Sequence, residues 1–513
     1  MKSLISTLKG FSMHNRPLRV AVFVAAAGLG VAACTQDLDI TNPNQPNTGQ
    51  FWLTSADAIK GINAVYNGLL NNGTYGRWLG FGYDIRSDEG YSTSPWTDLS
   101  NFNKFTQSDY NFEPSREIFQ HHYQAIFRAN QVIDRVPGIN MDATLRSRIV
   151  GEAQFIRALL YFNLVNLYGG NIPLVIKTPN PGDFPPSSTV ADVYAQIEKD
   201  LTEAAAALPP SYTGSDVGRA TRGAALAMLG KAQLQQGKWT AAQATLAQVI
   251  GMPQYDLMPN YKDNFTDAQE NNKESVFEVQ FGDETQLSSG VRGQNYAKMI
   301  GACGPGFCDG LPTQWYFDQF FPNPSNRLVY DPRLNATIFW NRPDTVGGGD
   351  VYGQSFQSRY GATSSALYWK KWGEYYVPGD QNWDNPINYR VIRFADVLLM
   401  EAEATNEAAP GNSAAAAVFV NRVRARPSVN QPPLATGLTQ AQMRAAILKE
   451  RLLELGLEQT RWLDVKRQAM LKKATLLPDD AEFSFFVDGK SELLPIPQAE
   501  IDLNPNVKQN PGW

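Results

Sequence analysis

The chain has 513 residues, 43% of them hydrophobic and 11% aromatic, an apolar supply sufficient for a large buried core. Its 45 basic and 50 acidic residues give a formal net charge of −5. The first 33 residues hold Lys2, Lys9, Arg16 and Arg19 and no acid, so 45 less 4 leaves 41 bases against 50 acids, or −9, in the remainder. That sign, with no basic run, argues against a nucleic-acid partner, because a phosphate backbone demands a basic footprint.

The N-terminus reads as an export signal. Its four bases precede an uncharged apolar run, Val20 to Val31, which falls short of the roughly 20 apolar residues that span a bilayer and suits a signal-peptide core. The run ends in Val31-Ala32-Ala33-Cys34, similar to the bacterial lipobox, in which a Cys after small residues receives a diacylglyceryl group before cleavage. The expectation is a signal peptide over 1–33, a lipidated Cys34 and a tether over 34–50. Thr35 to Gln50 carries three Asn, two Pro, three Thr and a Gly, the composition of a linker. Acyl chains anchor by burying methylene groups, so no transmembrane helix is needed. The remaining cysteines, Cys303 and Cys308, form a close pair that reads as a loop disulfide in an exported protein. Zinc would need further ligands, and beyond the signal segment only His121 and His122 are histidines; no metal and no cofactor are expected.

Apolar spacing at three and four residues predicts helices over Ala56–Leu70, Ser115–Val136, Leu145–Tyr168 and Ser188–Leu208. Leu226, Leu229, Gly230, Gly237, Trp239, Ala242 and Leu246 then fall at the spacings of a tetratricopeptide unit, with Gln233 at a position usually aromatic. Such a helix pair cannot bury its apolar face alone and needs stacked neighbours. From Tyr255 to about 385 short β-like runs such as Ser275–Phe281 lie among Gly, Pro, Asn and aromatics. Helices are expected again over Tyr389–Asn406, Ala414–Ala425 and Thr439–Glu458, before an extended, Pro-rich end from Asp479. The fold class is mainly α: a tetratricopeptide-like helical solenoid scaffold (about 51–254 and 387–470) carrying a large irregular, loop-rich insert with short strands (about 255–386) and an extended segment (about 471–513), all one domain over 51–513.

Several blocks in order resemble the SusD/RagB family of outer-membrane glycan-binding lipoproteins. Gly151-Glu152-Ala153-Gln154-Phe155-Ile156-Arg157-Ala158 through Tyr168-Gly169 looks like the family's long helix. Ala395-Asp396-Val397-Leu398-Leu399-Met400-Glu401-Ala402-Glu403-Ala404, Lys449-Glu450-Arg451-Leu452-Leu453-Glu454-Leu455 with Arg461-Trp462-Leu463-Asp464, and the tail Leu494-Pro495-Ile496-Pro497 to Asn510-Pro511-Gly512 are similar to its other signatures. Gln459-Thr460 stands where the family commonly has Gly-His, a departure read as a surface substitution. The resemblance implies a SusD-like scaffold, capture of glycans or other nutrients at the cell surface, and a partner: a SusC-like TonB-dependent outer-membrane transporter.

Sugars are held by stacking their C–H faces on rings and by polar groups that read hydroxyls, so aromatics on loops are the expected tools. The loop after the first helix offers Trp78, Tyr83, Tyr91 and Trp96 as ligand candidates, and the insert offers Trp315 and Tyr316 by family analogy. The competing expectation for each ring is that it packs its loop onto the helices. Trp340, Tyr368, Trp369, Trp372, Tyr375, Tyr376 and Trp383 form a further aromatic supply, in which Tyr368 to Tyr376 could be strand core. Asp88-Glu89 is an adjacent carboxylate pair, read as loop-stabilising, since adjacency does not provide the spacing of a glycosidase. Glu401, Glu403, Arg461 and Asp464 read as structural ion pairs or caps. No nucleophile elbow, HExxH, Walker or dinucleotide motif is present. The chain is expected not to be an enzyme; the alternatives are a tetratricopeptide adaptor or peptide-binding lipoprotein and, further off, a surface glycoside hydrolase.

Overall fold

Thr54 opens the first helix with a reciprocal cap: its hydroxyl accepts from the Asp57 backbone N–H, and the Asp57 carboxylate accepts from the Thr54 N–H at 2.9 Å. The computed structural model describes residues 51–282, 292–342, 350–472 and 483–513. Residues 1–53 and 54–513 separate as two units; Cys34, the signal segment and the tether lie outside the described residues.

The long helices of the second unit are α1 (Ser55–Asn67), α2 (Glu113–Arg135), α3 (Ala143–Tyr168), α4 (Val190–Ala207), α5 (Arg222–Gln235), α6 (Trp239–Ile250), α7 (Phe394–Ala408), α8 (Ser413–Arg424) and α9 (Gln440–Leu455), followed by the short α10 (Arg461–Arg467). Each from α2 to α8 packs on the next, and α9 returns onto α7. α3 is buried on every side from Gly151 to Tyr168, as a helix at the centre of a stack must be. Its polar residues are therefore paired: Arg157 forks onto Asp200 of α4 at 2.7 and 2.8 Å and reaches Asn130 of α2 at 2.7 Å. In the α5–α6 pair a Cβ on Gly230 would stand 2.5 Å from Leu246, so glycine is what lets these helices touch. Gln233, at the usually aromatic position of the repeat, accepts a hydrogen bond from Thr245 at 2.9 Å, a polar contact in place of a ring.

Helical periodicity misleads at one place. The spacing over Tyr389–Asn406 predicts a single helix; instead Tyr389–Arg393 is a strand and the helix begins at Phe394. Among the described residues the strands are β1 (Gly90–Tyr91), β2 (Ser275–Val279), β3 (Leu311–Pro312), β4 (Ile338–Phe339), β5 (Tyr368–Trp369) and β6 (Tyr389–Arg393). β2 and β6 pair antiparallel, Val279 opposite Tyr389 and Ser275 opposite Arg393, with bulges between. Residues such as Val391 and Ile392 suit a pleated surface, and the distant partner strand decides the outcome. Tyr368–Trp369 is indeed a strand, with Trp369 and Trp372 both buried.

The insert is fixed to the helices by buried charge. Glu454 of α9 accepts from Arg333 at 2.9 Å, Arg393 at 3.1 Å and Arg426 at 2.7 Å; Glu274 and Glu450 extend the array, and Lys371 meets Glu458 at 2.9 Å. Signature acids on the helices are likewise structural: Arg451 bridges Asp396 and Asp464, and Arg467 holds Glu403.

Candidate functional site

Two loops distant in sequence are zipped together to make one aromatic surface. β1 pairs with β3, Tyr91 opposite Leu311, and the Thr313 hydroxyl donates to the Asp88 carbonyl at 2.8 Å. The first loop is held from below by the segment between α9 and α10. Gln459 N–H donates to Asp84 at 2.6 Å, Leu457 N–H to Glu89 at 3.1 Å, and Arg461 forks onto Asp88 at 2.6 and 2.7 Å. These amides point at the acids because Leu457 and Gln459 sit at φ +61° and +60°. Gln459 is thus buried, not a surface substitution, and the left-handed backbone explains why glycine is common there. Burial pushes the Asp84 carboxyl up to about 7, against its hydrogen bonds from Gln459 and Tyr296. Burial raises Glu89 likewise. With Asp88 spent on Arg461 and Glu89 fully buried, this pair stabilises the loop, as its sequence pattern suggests, and offers no carboxylates to a substrate.

The six expected ligand rings divide sharply. Trp78, Tyr83 and Tyr316 are in the core, at 0%, 1% and 0% exposure, and cannot present a face to a solute; this corrects the expectation for all three. Trp78 donates its indole N–H to Glu117 of α2 at 2.9 Å. Tyr83 lies against α3, its hydroxyl toward the Asn163 carbonyl. Tyr316 packs on Trp369 and presses so close to Gly456 that a Cβ there would meet its hydroxyl oxygen at 1.8 Å. Tyr91 and Trp315 are half-buried, with the Arg461 guanidinium 5.7 Å from the Trp315 ring centre. Trp96 stands out at 37% exposure, its base packed edge-on to Trp78 and Phe112. Its loop is rigid: the Ser92 N–H donates to Asn103, and the Ser94 hydroxyl accepts from Trp96 N–H.

Trp96 is one end of a row. Trp78 beneath it carries the Arg77 guanidinium, 4.9 Å from its ring; Arg77 also lies 4.8 Å from the Trp383 ring, and Trp383 is 6.0 Å from Phe307. Trp383 is 41% and Phe307 50% exposed. Phe307 rides at the tip of a loop closed by the Cys303–Cys308 bond, with Cα atoms 4.9 Å apart. Backbone bonds from Phe307 and Asp309 to Lys298 and Met299 pin that loop to the Tyr296–Ile300 turn. Asn295 ties the row together, accepting from Arg77 at 3.2 Å and donating to the Trp383 carbonyl at 2.8 Å. Phe307 is not among the rings marked by the sequence pattern, and Trp383 is one of many there. The signal for Phe307 is a large apolar residue trapped between two cysteines in a six-residue Gly/Pro loop.

The larger hollows lie elsewhere, such as the groove of about 470 Å³ between α8 and residues 434–440 and one of about 390 Å³ beside α1. Neither hollow is lined by Trp96, Trp383 or Phe307. Among the described residues no cluster of three metal-ligating side chains occurs, and no helix is long and apolar enough to cross a membrane. His121 and His122 diverge, one accepting from Gly73 N–H and the other buried against Ile118 and Asn163.

Fold and site together define a helical-repeat protein that leaves large rings exposed on hydrogen-bonded loops. The profile of the SusD family matches residues 273–513, and a profile described as starch-binding, associating with the outer membrane, matches 38–234. A SusD-like protein of Formosa agariphila is 28% identical over 493 residues, covering 90% of this chain and 94% of its own. A SusD superfamily protein of Bacteroides vulgatus superposes with a TM-score of 0.79 at 26% identity, over 90% of this chain and all of that one. A laminarin-binding SusD-like protein gives 0.73 at 28% identity, again over 90% and all. The chain belongs to the SusD/RagB family, whose members are carbohydrate-binding proteins associated with the outer membrane.

Proposed function

We propose that this protein captures glycan chains at the cell surface on the row Trp96–Trp383–Phe307, with Tyr91 and Trp315 contributing at its margin, and delivers them to a SusC-like TonB-dependent transporter. The observation that carries the proposal is the row itself: three large rings are left exposed on loops immobilised by hydrogen bonds, an ion pair and a disulfide. Exposing such rings is unfavourable in water unless a partner covers them. Stiff loops also reduce the ordering cost of binding. The laminarin-binding relative supports a polysaccharide as the solute. Chemistry at the site is not part of the proposal, since the adjacent pair Asp88 and Glu89 is committed to the loop. In this scheme Cys34 carries the acyl anchor and residues 34–50 let the 51–513 domain ride above the membrane.

Calorimetric titration of the purified chain with soluble polysaccharides tests the capture role. Trp96→Ala is expected to weaken binding at least tenfold. Undiminished affinity in that variant places the site elsewhere, and binding of extended peptides alone would favour an adaptor. Mass spectrometry of the native N-terminus checks acylation of Cys34, and co-purification with a barrel checks the partner.

A further inference from the structure

The row contains a feature that hydrophobic stacking on neutral sugars does not call for. Arg77 lies against two indoles, Trp78 and Trp383, with no carboxylate within ion-pair distance among the described residues. Of its five N–H groups one is spent, on Asn295, while Nε is buried without a partner. Burial pulls its pKa down, and Glu117 and Glu113 oppose that shift from a distance. Glu117 is occupied by the Trp78 indole N–H. Lys298 repeats the pattern at the far end: its ammonium lies 5.3 Å from the Phe307 ring and donates to the Pro305 carbonyl at 2.8 Å, again with no acid partner among the described residues. Arg157, Arg333, Arg451 and Arg461 are matched by carboxylates, while Arg86, packed on Phe102, Phe105 and Trp462 without an ion-pair partner among the described residues, is sealed in the core where no solute reaches it. The two cations that accompany the exposed rings of the row lack such an anion.

Resting on the glycan-capture reading, we propose that the solute is an acidic glycan, a chain bearing uronate carboxylates or sulfate esters, with Arg77 as its specificity-determining residue and Lys298 as a second contact. A planar guanidinium matches a carboxylate or sulfate with two parallel hydrogen bonds, and the contacts with both indoles and Asn295 hold Arg77 in place before the ligand arrives. Its partial desolvation strengthens the interaction with an incoming anion. Lys298, a flexible point charge, adds attraction with less geometric demand.

Affinity electrophoresis and calorimetry of the full chain with two panels test this: alginate, polygalacturonate and chondroitin sulfate against laminarin, starch and xylan. The expected result is binding to at least one acidic polymer, weakened tenfold or more by Arg77→Gln and severalfold by Lys298→Met. Arg77→Lys, which keeps charge but loses the planar fork, is expected to fall between. Raising NaCl from about 50 to about 500 mM should weaken acidic-chain binding severalfold. Binding confined to neutral polymers, with Arg77→Gln within twofold of the unaltered chain, overturns the acidic assignment and leaves glycan capture standing. Acidic binding that Arg77→Gln leaves intact, in a variant with an unchanged melting curve, overturns the role of Arg77. If neither panel binds, the capture reading itself fails and the acidic assignment with it.

Discussion

Glu454 provides the most direct check on how the loop-rich insert is attached. Its carboxylate is fully buried on α9 and accepts from three guanidiniums, two of which, Arg393 and Arg426, also share Glu274. These arginines draw the Glu454 pKa down to about 2 despite its burial. Relative to an ordinary value of about 4.5, a shift of that size corresponds to roughly 3 kcal/mol of stabilisation at neutral pH. Glu454→Ala removes this and leaves three buried cations with too few anions, for which broken buried pairs suggest about 3–5 kcal/mol. As a contrast, Glu407→Ala breaks the Arg444 pair, whose arginine is 38% exposed, and exposed pairs are worth about 1 kcal/mol or less. Urea unfolding at pH 7, followed by tryptophan fluorescence, should separate the two variants clearly. The sign with pH is equally specific. A depressed carboxylate stabilises above its unfolded pKa, so the difference between wild type and Glu454→Ala should shrink as pH falls from about 4.5 toward 2. A loss of under about 1 kcal/mol at pH 7, or a difference indifferent to pH below 4.5, would refute the idea that this array clamps the insert.

Asp84 makes the opposite prediction. Its folded pKa is raised to about 7 by burial, so its proton is favoured in the folded state, and stability drains away as pH rises from about 4 to 7; Asp84→Asn should therefore be the more stable chain at pH 8 and show no such gain at pH 4, measured by melting temperature. Trp78→Ala and Trp96→Ala should fail in different ways: the first, a fully buried ring, should lose about 3–5 kcal/mol in denaturant unfolding, whereas the second should stay close to wild-type stability and lose ligand. Replacing both Cys303 and Cys308 by serine opens a small loop, worth about 2 kcal/mol of chain entropy, and should weaken glycan binding severalfold by freeing Phe307; unchanged affinity in titration would remove Phe307 from the site.

How far the site was legible depended on what each residue needs. Trp96 could be nominated because it is a ring in a Gly- and Asn-rich loop, and that environment is local. Trp78 and Tyr83 share the same loop and composition, yet α2 and α3 cover them, since Glu117 and Asn163 lie on those helices. Gln459 looked like a surface change because its need for a left-handed backbone is set by Asp84, 375 positions away.

The order of apolar spacings, glycines and signature blocks was enough to establish a stack of paired helices, the loop-rich insert and membership of a family of carbohydrate-binding proteins, because helix period and close helix contact are written over three to seven neighbouring residues. Which rings face water, which cations stand without anions, and that Tyr389–Arg393 pairs as a strand were decided only when distant segments met. Burial, pairing and desolvation are properties of neighbours in space, and the neighbours of Arg77 and Trp96 are supplied by parts of the chain that come together only on folding.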